Sequence, residues 1–419
     1  MKPLVYAVIL ALLFFNCSSD VDIQTAGMQP LTDVLTLELS FGDENTITKD
    51  EFLIALTVSS TPNPTTHGGI IAVNDSNEIF VVDENRIKVY DNNGKPKTII
   101  GHPGQGPGEF EDGRTPTITQ KGFLSVMNGS YVNFFGPNLK FIESKNLEIY
   151  PPIRNFRYDK GMQISFNPRM VYKFNEKQNI FYFDTIKEEK ESKETYKGDG
   201  LIYFDPDTLF EIASYYSKKD ERGLKTIPPV REGFVIIGAK YENPNSETMF
   251  DILPGNRIIY SNSVYDCVMG EKESHYILNI FDLDTFEYSQ IVRPFNPVKI
   301  SESLKSGLYT EKGKKSIENF IERNKIEYFY PLHKIITDRN YAFLFIYHTY
   351  YYAELKEGVK REFLVEVIDV DTGELVSRAY LPFRAHVIKN GYAYYLNRGS
   401  KDEFPVIEKY KINPAVYGK

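Results

Sequence analysis

The chain is poor in several residue types that mark other classes of protein. Its 419 residues include no tryptophan, two cysteines and six histidines, and its net charge is −8. The negative charge argues against a nucleic-acid partner, because phosphate binding needs a basic surface. The histidines never recur at metal-ligand spacing, and no Ser-His-Asp or Cys-His order can be singled out. We therefore predict no cofactor, no metal and no catalytic residue from the sequence.

The N-terminus has the features of an export signal. Lys2 precedes the apolar run Leu4–Phe15, whose 12 residues are too few to span a bilayer but suit a signal peptide. The following Asn16-Cys17-Ser18 resembles a lipoprotein signal, although Phe14-Phe15-Asn16 replaces the usual leucine and two small residues. We predict a signal peptide over 1–17, lipidation of Cys17, a tether over 18–30 and a lipid anchor in the outer membrane or periplasm. Plain secretion is the alternative.

The aromatic residues, 30 Tyr and 29 Phe, favour strands. A polar turn followed by a β-rich strand, typical of an inner hairpin, recurs six times. A turn after an aromatic or branched residue, typical of an outer hairpin, alternates with it five times. The inner hairpins are Asp75–Ile79, Gln120–Phe123, Asn175–Ile180, Pro254–Ile258, Asp338–Ala342 and Lys389–Ala393. The outer hairpins begin at Tyr90, Phe135, Phe204, Phe281 and Ile368.

This alternation predicts an all-β fold, a six-bladed β-propeller over residues 31–419. Because the last blade lacks one strand, we expect Leu35–Phe41 to pair with Val406–Ile412 and close the ring. The unassigned stretch Arg231–Ala239 leaves seven blades open. The pattern of Ile300–Ile326 predicts a short helical insertion with an apolar face. The charge-dense segment Lys187–Lys197 is predicted to be a solvated hairpin tip.

A family resemblance lies in the first blade. Gly104-Gln105-Gly106-Pro107-Gly108-Glu109-Phe110, after Lys88-Val89-Tyr90-Asp91 and Gly94, resembles the NHL-type repeat. The block is more similar to the six-bladed β-propeller lipoproteins of Bacteroidetes, in which such a glycine-rich run closes the first blade. The resemblance covers about forty residues. It implies architecture and location but no reaction, and six-bladed lactonases and lyases are similar in fold alone.

Several local patterns have a structural interpretation that we prefer to a functional one. The Gly101–Gly108 run leads into acidic residues and a strand, so it predicts a connection between blades and not a phosphate loop. The pairs Asp205/Asp207, Asp282/Asp284 and Asp369/Asp371 fall at equivalent turns, which predicts self-capping turns and not a shared calcium site. The aromatic patch Tyr347–Tyr352 could stack a sugar, but core packing is favoured for half of it. Cys267 is interpreted as a small buried apolar residue.

One pattern points to a ligand. Basic residues stand just before or at the start of several inner strands: His67, Arg114, Arg169, His333, Arg384 and His386. If they face the channel mouth, they form a cationic ring in an acidic protein, and such a ring suits an anionic ligand. Scattered surface charge is the alternative.

Two functions remain open at this point. The first is a monomeric envelope protein that binds a small anionic molecule, a glycan or another envelope protein. The second is a metal-assisted propeller enzyme, namely a lactonase, lyase or hydrolase, whose ligating groups would converge from different blades. Stoichiometric calcium or zinc in the purified domain would favour the enzyme.

Overall fold

The computed structural model shows a six-bladed β-propeller. It describes residues 28–55, 70–111, 113–147, 162–175, 177–189, 195–204, 209–219, 226–227, 248–263, 265–269, 274–305, 307–324, 328, 331–346, 356–359, 362–398 and 404–419. The described strands form six sheets, each with a ladder of four antiparallel strands around the ring axis. The predicted fold class is confirmed. The stretch 231–239 lies outside the described residues.

Blades 1 to 3 follow one another in sequence, and each runs from its innermost strand outward. Blade 1 comprises β2 (Ile71–Val73), β3 (Ile79–Asp83), β4 (Arg86–Tyr90) and β5 (Pro96–Ile100). Blade 2 comprises β6 (Gly113–Ile118), β7 (Leu124–Asn128), β8 (Tyr131–Phe135) and β9 (Phe141–Asn146). Blade 3 comprises β10 (Met162–Lys173), β11 (Asn179–Glu189), β12 (Thr195–Phe204) and β13 (Leu209–Lys219), with β14 (Thr226–Ile227) added at its edge.

Blades 4 and 5 repeat this order, and blade 6 takes its outermost strand from the beginning of the chain. Blade 4 comprises β15 (Thr248–Leu253), β16 (Arg257–Asn262), β18 (His275–Asp282) and β19 (Tyr288–Pro294), with the short β17 (Cys267–Val268). Blade 5 comprises β20 (Leu332–Asp338), β21 (Tyr341–Ile346), β22 (Phe363–Asp369) and β23 (Leu375–Leu381). Blade 6 comprises β24 (Val387–Lys389), β25 (Tyr392–Asn397), β26 (Val406–Ile412) and β1 (Leu35–Phe41).

The ring closes as the sequence predicts. β1 pairs antiparallel with β26 from Leu35 opposite Ile412 to Phe41 opposite Ile407. At the end of β1 the buried ring of Phe41 lies 4.9 Å from that of Tyr90 in blade 1, centroid to centroid. The closing strand therefore gives blade 6 its fourth strand and packs on blade 1, which covers an apolar face.

The chain before β1 also joins the propeller. Of the predicted tether, residues 28–30 are described, and Met28 packs against the core between blades 4 and 5. The backbone N–H of Leu31 donates to Arg378 O at 2.8 Å, and Tyr380 N–H donates to Leu31 O at 2.9 Å. This segment thus lies along the outer strand of blade 5.

Local turn chemistry produces the hairpins. Asp282 Oδ1 accepts hydrogen bonds from the backbone N–H groups of Asp284 and Thr285, at 2.8 and 2.9 Å. Asp369 Oδ1 accepts from Asp371 and Thr372 in the same way. The prediction that these aspartates cap their own turns is confirmed for both pairs. The pair 205/207 lies outside the described residues.

The glycine-rich run connects blade 1 to blade 2. Phe110 N–H donates to His102 O at 3.0 Å, and the buried Phe110 ring packs in the core shared by the two blades. Gly106 N–H donates to Glu109 Oε2 at 2.7 Å, so the acidic side chain occupies the loop that an anion would need. The predicted connection between blades is confirmed.

Two helices lie between blades 4 and 5, as predicted for residues 300–326. They are α1 (Ile300–Lys305) and α2 (Glu311–Asn324), and Ile317 on α2 is fully buried. Within the described ranges, none of the helices has the length and hydropathy needed to cross a bilayer. The aromatic patch 347–352 and the hairpin tip around 190–194 lie outside the described residues.

Candidate functional site

The innermost strands of all six blades surround a central channel. Each is the edge strand of its sheet. The backbone groups on its channel side therefore have no strand partner within its own blade. The strands β2, β6, β10, β15, β20 and β24 together line a cavity of about 140 Å³. Since ligand sites form where rigid elements converge on a concavity, this cavity is the candidate site.

Side chains from one blade satisfy backbone carbonyls at the edge of the next. Thr117 donates its hydroxyl to Val171 O, and Thr119 donates to Lys173 O at 3.0 Å, which joins blade 2 to blade 3. Thr337 on β20 donates to Ile252 O at 2.7 Å and joins blade 5 to blade 4. Such contacts hold the inner strands at fixed spacing, because a buried carbonyl without a donor costs stability.

Three inner strands carry a β-bulge. The pairing register shifts between Arg114 and Pro116 in β6, between Pro168 and Met170 in β10, and between Leu332 and Lys334 in β20. Thr115, Arg169 and His333 are the extra residues of these bulges. A bulge turns side chains away from the regular alternation of a strand, and bulges are frequent beside functional sites.

The structure brings three of the predicted basic residues together. Arg384 and His386 lie just before β24, and His333 lies near the start of β20 on the neighbouring blade. Arg384 Nη2 approaches both ring nitrogens of His333 and is 3.0 Å from Nδ1. His386 lines the cavity itself. Blades 5 and 6 thus supply one half-buried basic cluster at the end of the channel where the inner strands begin.

For the other predicted residues the structure describes no side chain. His67 lies outside the described residues. Arg114 stands in β6 and Arg169 in β10, each four residues before the last residue of its inner strand. Lys334 has the same position in β20. Relative to the bulges the three positions differ, because Arg114 precedes the bulge of β6, Arg169 is the extra residue in β10 and Lys334 follows the bulge of β20.

Lys334 is the residue that the sequence analysis missed. It lines the cavity, and its Nζ donates to Ala385 O at 2.8 Å, between Arg384 and His386 in the chain. Lys334 directly follows His333, so its type and position were visible in the sequence. What was not visible is the bulge that sets it beside the approach to β24.

Burial controls the charge of this cluster. Burial and then the Arg384 guanidinium lower the pKa of Lys334 to about 7, although the charge of Asp251 acts in the opposite direction. Burial, with the charges of Lys334, Arg398 and Arg384, lowers the pKa of His386 to about 3. The pKa of His333 also falls well below its usual value, through burial and then Arg384 and Lys334. At neutral pH the positive charge thus resides on Arg384 and on a fraction of Lys334.

Asp251 is the carboxylate among the described lining residues of the cavity. It accepts hydrogen bonds from Thr337 N–H at 2.7 Å, from the Thr337 hydroxyl at 3.1 Å and from Ile252 N–H at 2.8 Å. Burial raises its pKa against these hydrogen bonds. Because its oxygens are already engaged, Asp251 acts chiefly as a link between blades 4 and 5.

Two further sequence predictions concern metal and thiol chemistry. Among the described residues, no group of three or more His, Cys, Asp and Glu side chains could hold a metal ion. Cys267 is 5% exposed, and burial followed by the charge of Asp266 raises the pKa of its thiol to about 12. The interpretation of Cys267 as a small buried residue is confirmed.

Comparison with known proteins supports the architecture. A family model described as 6-bladed beta-propeller matches residues 60–217, which contain blades 1 and 2 and most of blade 3. No curated protein matches the chain.

Among solved structures, the chain is similar to a Bacteroides fragilis protein described as exported. The two are 10% identical with a TM-score of 0.38, over 90% of this chain and 95% of that one. It is also similar to the Pan2 WD40 domain of Neurospora crassa, with 9% identity, a TM-score of 0.36 and coverage of 92% and 98%. A Bacteroides caccae protein of unknown function is 10% identical, with a TM-score of 0.30 and coverage of 74% and 80%.

Proposed function

We propose that this protein binds a small anionic ligand at the mouth of the propeller channel. The observation that supports this function is the basic cluster of blades 5 and 6, formed by His333, Lys334, Arg384 and His386. Arg384 supplies a permanent charge and a planar set of donors that suits a carboxylate or phosphate. The two neutral histidines add ring N–H donors without adding charge repulsion.

The state of Lys334 gives the cluster its preference for anions. A lysine whose pKa is lowered by burial and by a neighbouring cation gains free energy when an anion arrives, because the anion stabilises the ammonium form. Binding should therefore be accompanied by proton uptake near neutral pH. The acidic surface of the protein, with net charge −8, would leave the channel mouth as a local region of positive potential.

Calorimetric titration with inorganic phosphate and with glucuronate tests this proposal. We expect saturable binding of one of the two, and Arg384→Ala should weaken it by about tenfold or more, since a charge-assisted hydrogen bond contributes roughly 1.5–3 kcal/mol. Arg257→Ala is the matched control, because Arg257 pairs with Asp371 at 2.8 Å on blades 4 and 5 away from the cluster. Equal affinities in wild type, Arg384→Ala and Arg257→Ala would contradict the proposal.

We further propose that the protein works in the cell envelope, held there by lipid on Cys17. The signal-like Leu4–Phe15 run and the cysteine that follows it support this placement. Incorporation of an alkyne-labelled fatty acid into the full chain, expressed in a bacterium that processes lipoproteins, tests it. Cys17→Ala should abolish labelling and Cys267→Ala should not. Labelling that survives Cys17→Ala would contradict the anchor.

A further inference from the structure

Lys334 differs in its partners from three other buried or cavity-lining lysines, and resembles the buried Lys409, which donates to Asn92 O at 3.1 Å outside the cavity. Lys88 is fully buried and pairs with Asp83 at 2.8 Å, and Lys173 pairs with Glu143 at 3.2 Å. Lys389 lines the same cavity as Lys334 but pairs with Asp75 at 2.5 Å. Lys334 instead donates to a backbone carbonyl, and no carboxylate of the described residues lies within 4.0 Å of its Nζ.

The surroundings of Lys334 favour the neutral amine. Burial and, after it, the charge of the Arg384 guanidinium oppose protonation of the amine. Desolvation together with a neighbouring cation is the arrangement that activates lysines as nucleophiles, because it leaves a lone pair on nitrogen at neutral pH. Its pKa of about 7 agrees with this geometry.

The cavity has room for a small molecule next to this amine. Its volume is about 140 Å³, several times the roughly 10–15 Å³ that one water molecule needs. Arg384 contacts His333, the residue before Lys334, and Lys334 Nζ donates to the carbonyl of Ala385, the residue after Arg384. A ligand with a carboxylate on Arg384 would therefore present its adjacent atoms to the Lys334 amine.

We propose that Lys334 captures the carbonyl group of small oxo acids as an imine. The inference rests on the proposed anion binding and names the class of anion, a carboxylate that also carries an aldehyde or ketone. The Lys334 nitrogen lone pair attacks the carbonyl carbon and forms the C–N bond. The carbonyl oxygen then leaves as water with two protons, which come from the amine. No electrons are gained or lost, so the capture needs no oxidant or reductant.

Reductive trapping tests the capture. Incubation with glyoxylate and cyanoborohydride should place a carboxymethyl group on Lys334, found by peptide mass spectrometry, at about tenfold or more the level on Lys389. Lys389 is the matched internal control, because it lines the same cavity with its ammonium on Asp75. The rate of labelling at Lys334 should rise with pH through a value above the pKa of about 7 that the amine has without ligand, because a bound carboxylate favours the ammonium form. Arg384, Asp251, His333 and His386 are the charged and titratable groups that act on this amine.

Oxamate, which has the shape of an oxo acid but no reactive carbonyl, provides competition. It should protect Lys334 from glyoxylate while leaving surface labelling unchanged. Lys334→Arg should lose the labelled peptide, whereas Lys389→Arg should leave the label on Lys334 unchanged.

The outcomes separate this inference from the proposed function. Binding of oxamate with no preferential label on Lys334 would overturn the imine and leave anion binding intact. Absence of both would overturn both. A label spread equally over Lys334 and Lys389 would also overturn the inference, because it would show ordinary surface chemistry.

Discussion

At the scale of single residues, the molecule places ionisable groups in partly buried positions around the channel. Lys334 and His386 line the channel cavity, and both have a lowered pKa chiefly because of burial. Such placement destabilises the fold, since the charged form loses hydration. Apolar side chains would fill these positions at less cost in stability, which agrees with the proposed function at the channel mouth.

The acid sensitivity of the fold should report on His386. Its pKa is about 3 in the folded protein and about 6.5 in an unfolded chain. Below pH 6.5 the unfolded chain binds a proton that the folded state excludes, so stability falls as the pH falls towards 3. Between pH 7 and pH 5 the free energy of unfolding of wild type should fall because His386 stays neutral in the folded state. In His386→Gln this fall should be smaller by about 2 kcal/mol.

Urea unfolding at the two pH values measures this difference. The variant is compared with wild type at pH 7 first, which separates the effect of packing from the effect of titration. Equal losses in the two proteins between pH 7 and pH 5 would show that His386 is accessible to protons in the folded state.

The residues of the site were only partly predictable from sequence. Turn residues such as Asp282 and Asp369 accept hydrogen bonds from backbone groups less than four residues away, so they could be predicted from the local sequence. His333, Arg384 and His386 were found because they stand next to predicted inner strands. Lys334 was missed because a bulge, which depends on pairing with β21, sets its position beside Ala385.

At the scale of elements, the closing strand β1 has both buried and exposed side chains. Phe41 is 2% exposed and packs on Tyr90, whereas Leu37 on the same strand is 50% exposed. Phe41→Ala should lower the free energy of unfolding by about 3–5 kcal/mol, through lost burial and the cavity left behind. Leu37→Ala is the matched control and should change it by about 0.5 kcal/mol or less.

Chemical denaturation of both variants checks this prediction. A loss of similar size in Phe41→Ala and Leu37→Ala would mean that the Phe41 side chain does not pack on blade 1.

The outer turn of blade 1 makes a second contact with the closing strand. Gly94 has φ of +73°, and a Cβ added there would lie 2.7 Å from two ring carbons of Phe41. Gly94→Ala therefore combines backbone strain with a clash and should cost about 2–4 kcal/mol. Gly129→Ala is the control, because Gly129 has φ of +60° with no atom within 4 Å of an added Cβ, and should cost about 1 kcal/mol.

Thermal melts of the two glycine variants distinguish strain from clash. If Gly94→Ala melts at the same temperature as Gly129→Ala, the turn of blade 1 is not in contact with Phe41.

At the scale of the whole molecule, the alternation of inner and outer hairpins was sufficient to predict the ring. The missing strand of blade 6 and the unassigned segment 35–41 together indicated closure, because a propeller leaves no blade with an open edge. What the hairpins could not indicate is how the blades meet at the axis. That arrangement depends on contacts between distant residues, such as Lys334 with Ala385 and Thr337 with Ile252.

The blade interfaces also decide where a ligand could bind. Asp338 at the end of β20 accepts hydrogen bonds from the N–H groups of Asn390 and Gly391 in blade 6, at 2.6 and 2.9 Å. Blades 5 and 6 are therefore fixed to each other at the far end of the inner strands. The basic cluster at the near end lies across the same boundary, so ring closure through blade 6 also holds the proposed site in shape.

The pairing of β1 with β26 is tested most directly by a cross-link in register. Thr36 and Lys411 are exposed partners across this ladder, whereas Glu408 faces Ser40 and not Thr36. In a background of Cys17→Ser and Cys267→Ser, mild oxidation should join Thr36→Cys to Lys411→Cys and leave Thr36→Cys with Glu408→Cys unjoined. Non-reducing electrophoresis and mass spectrometry of the folded protein report the bond. No cross-link in the first pair, or equal cross-linking in both, would contradict the closed ring.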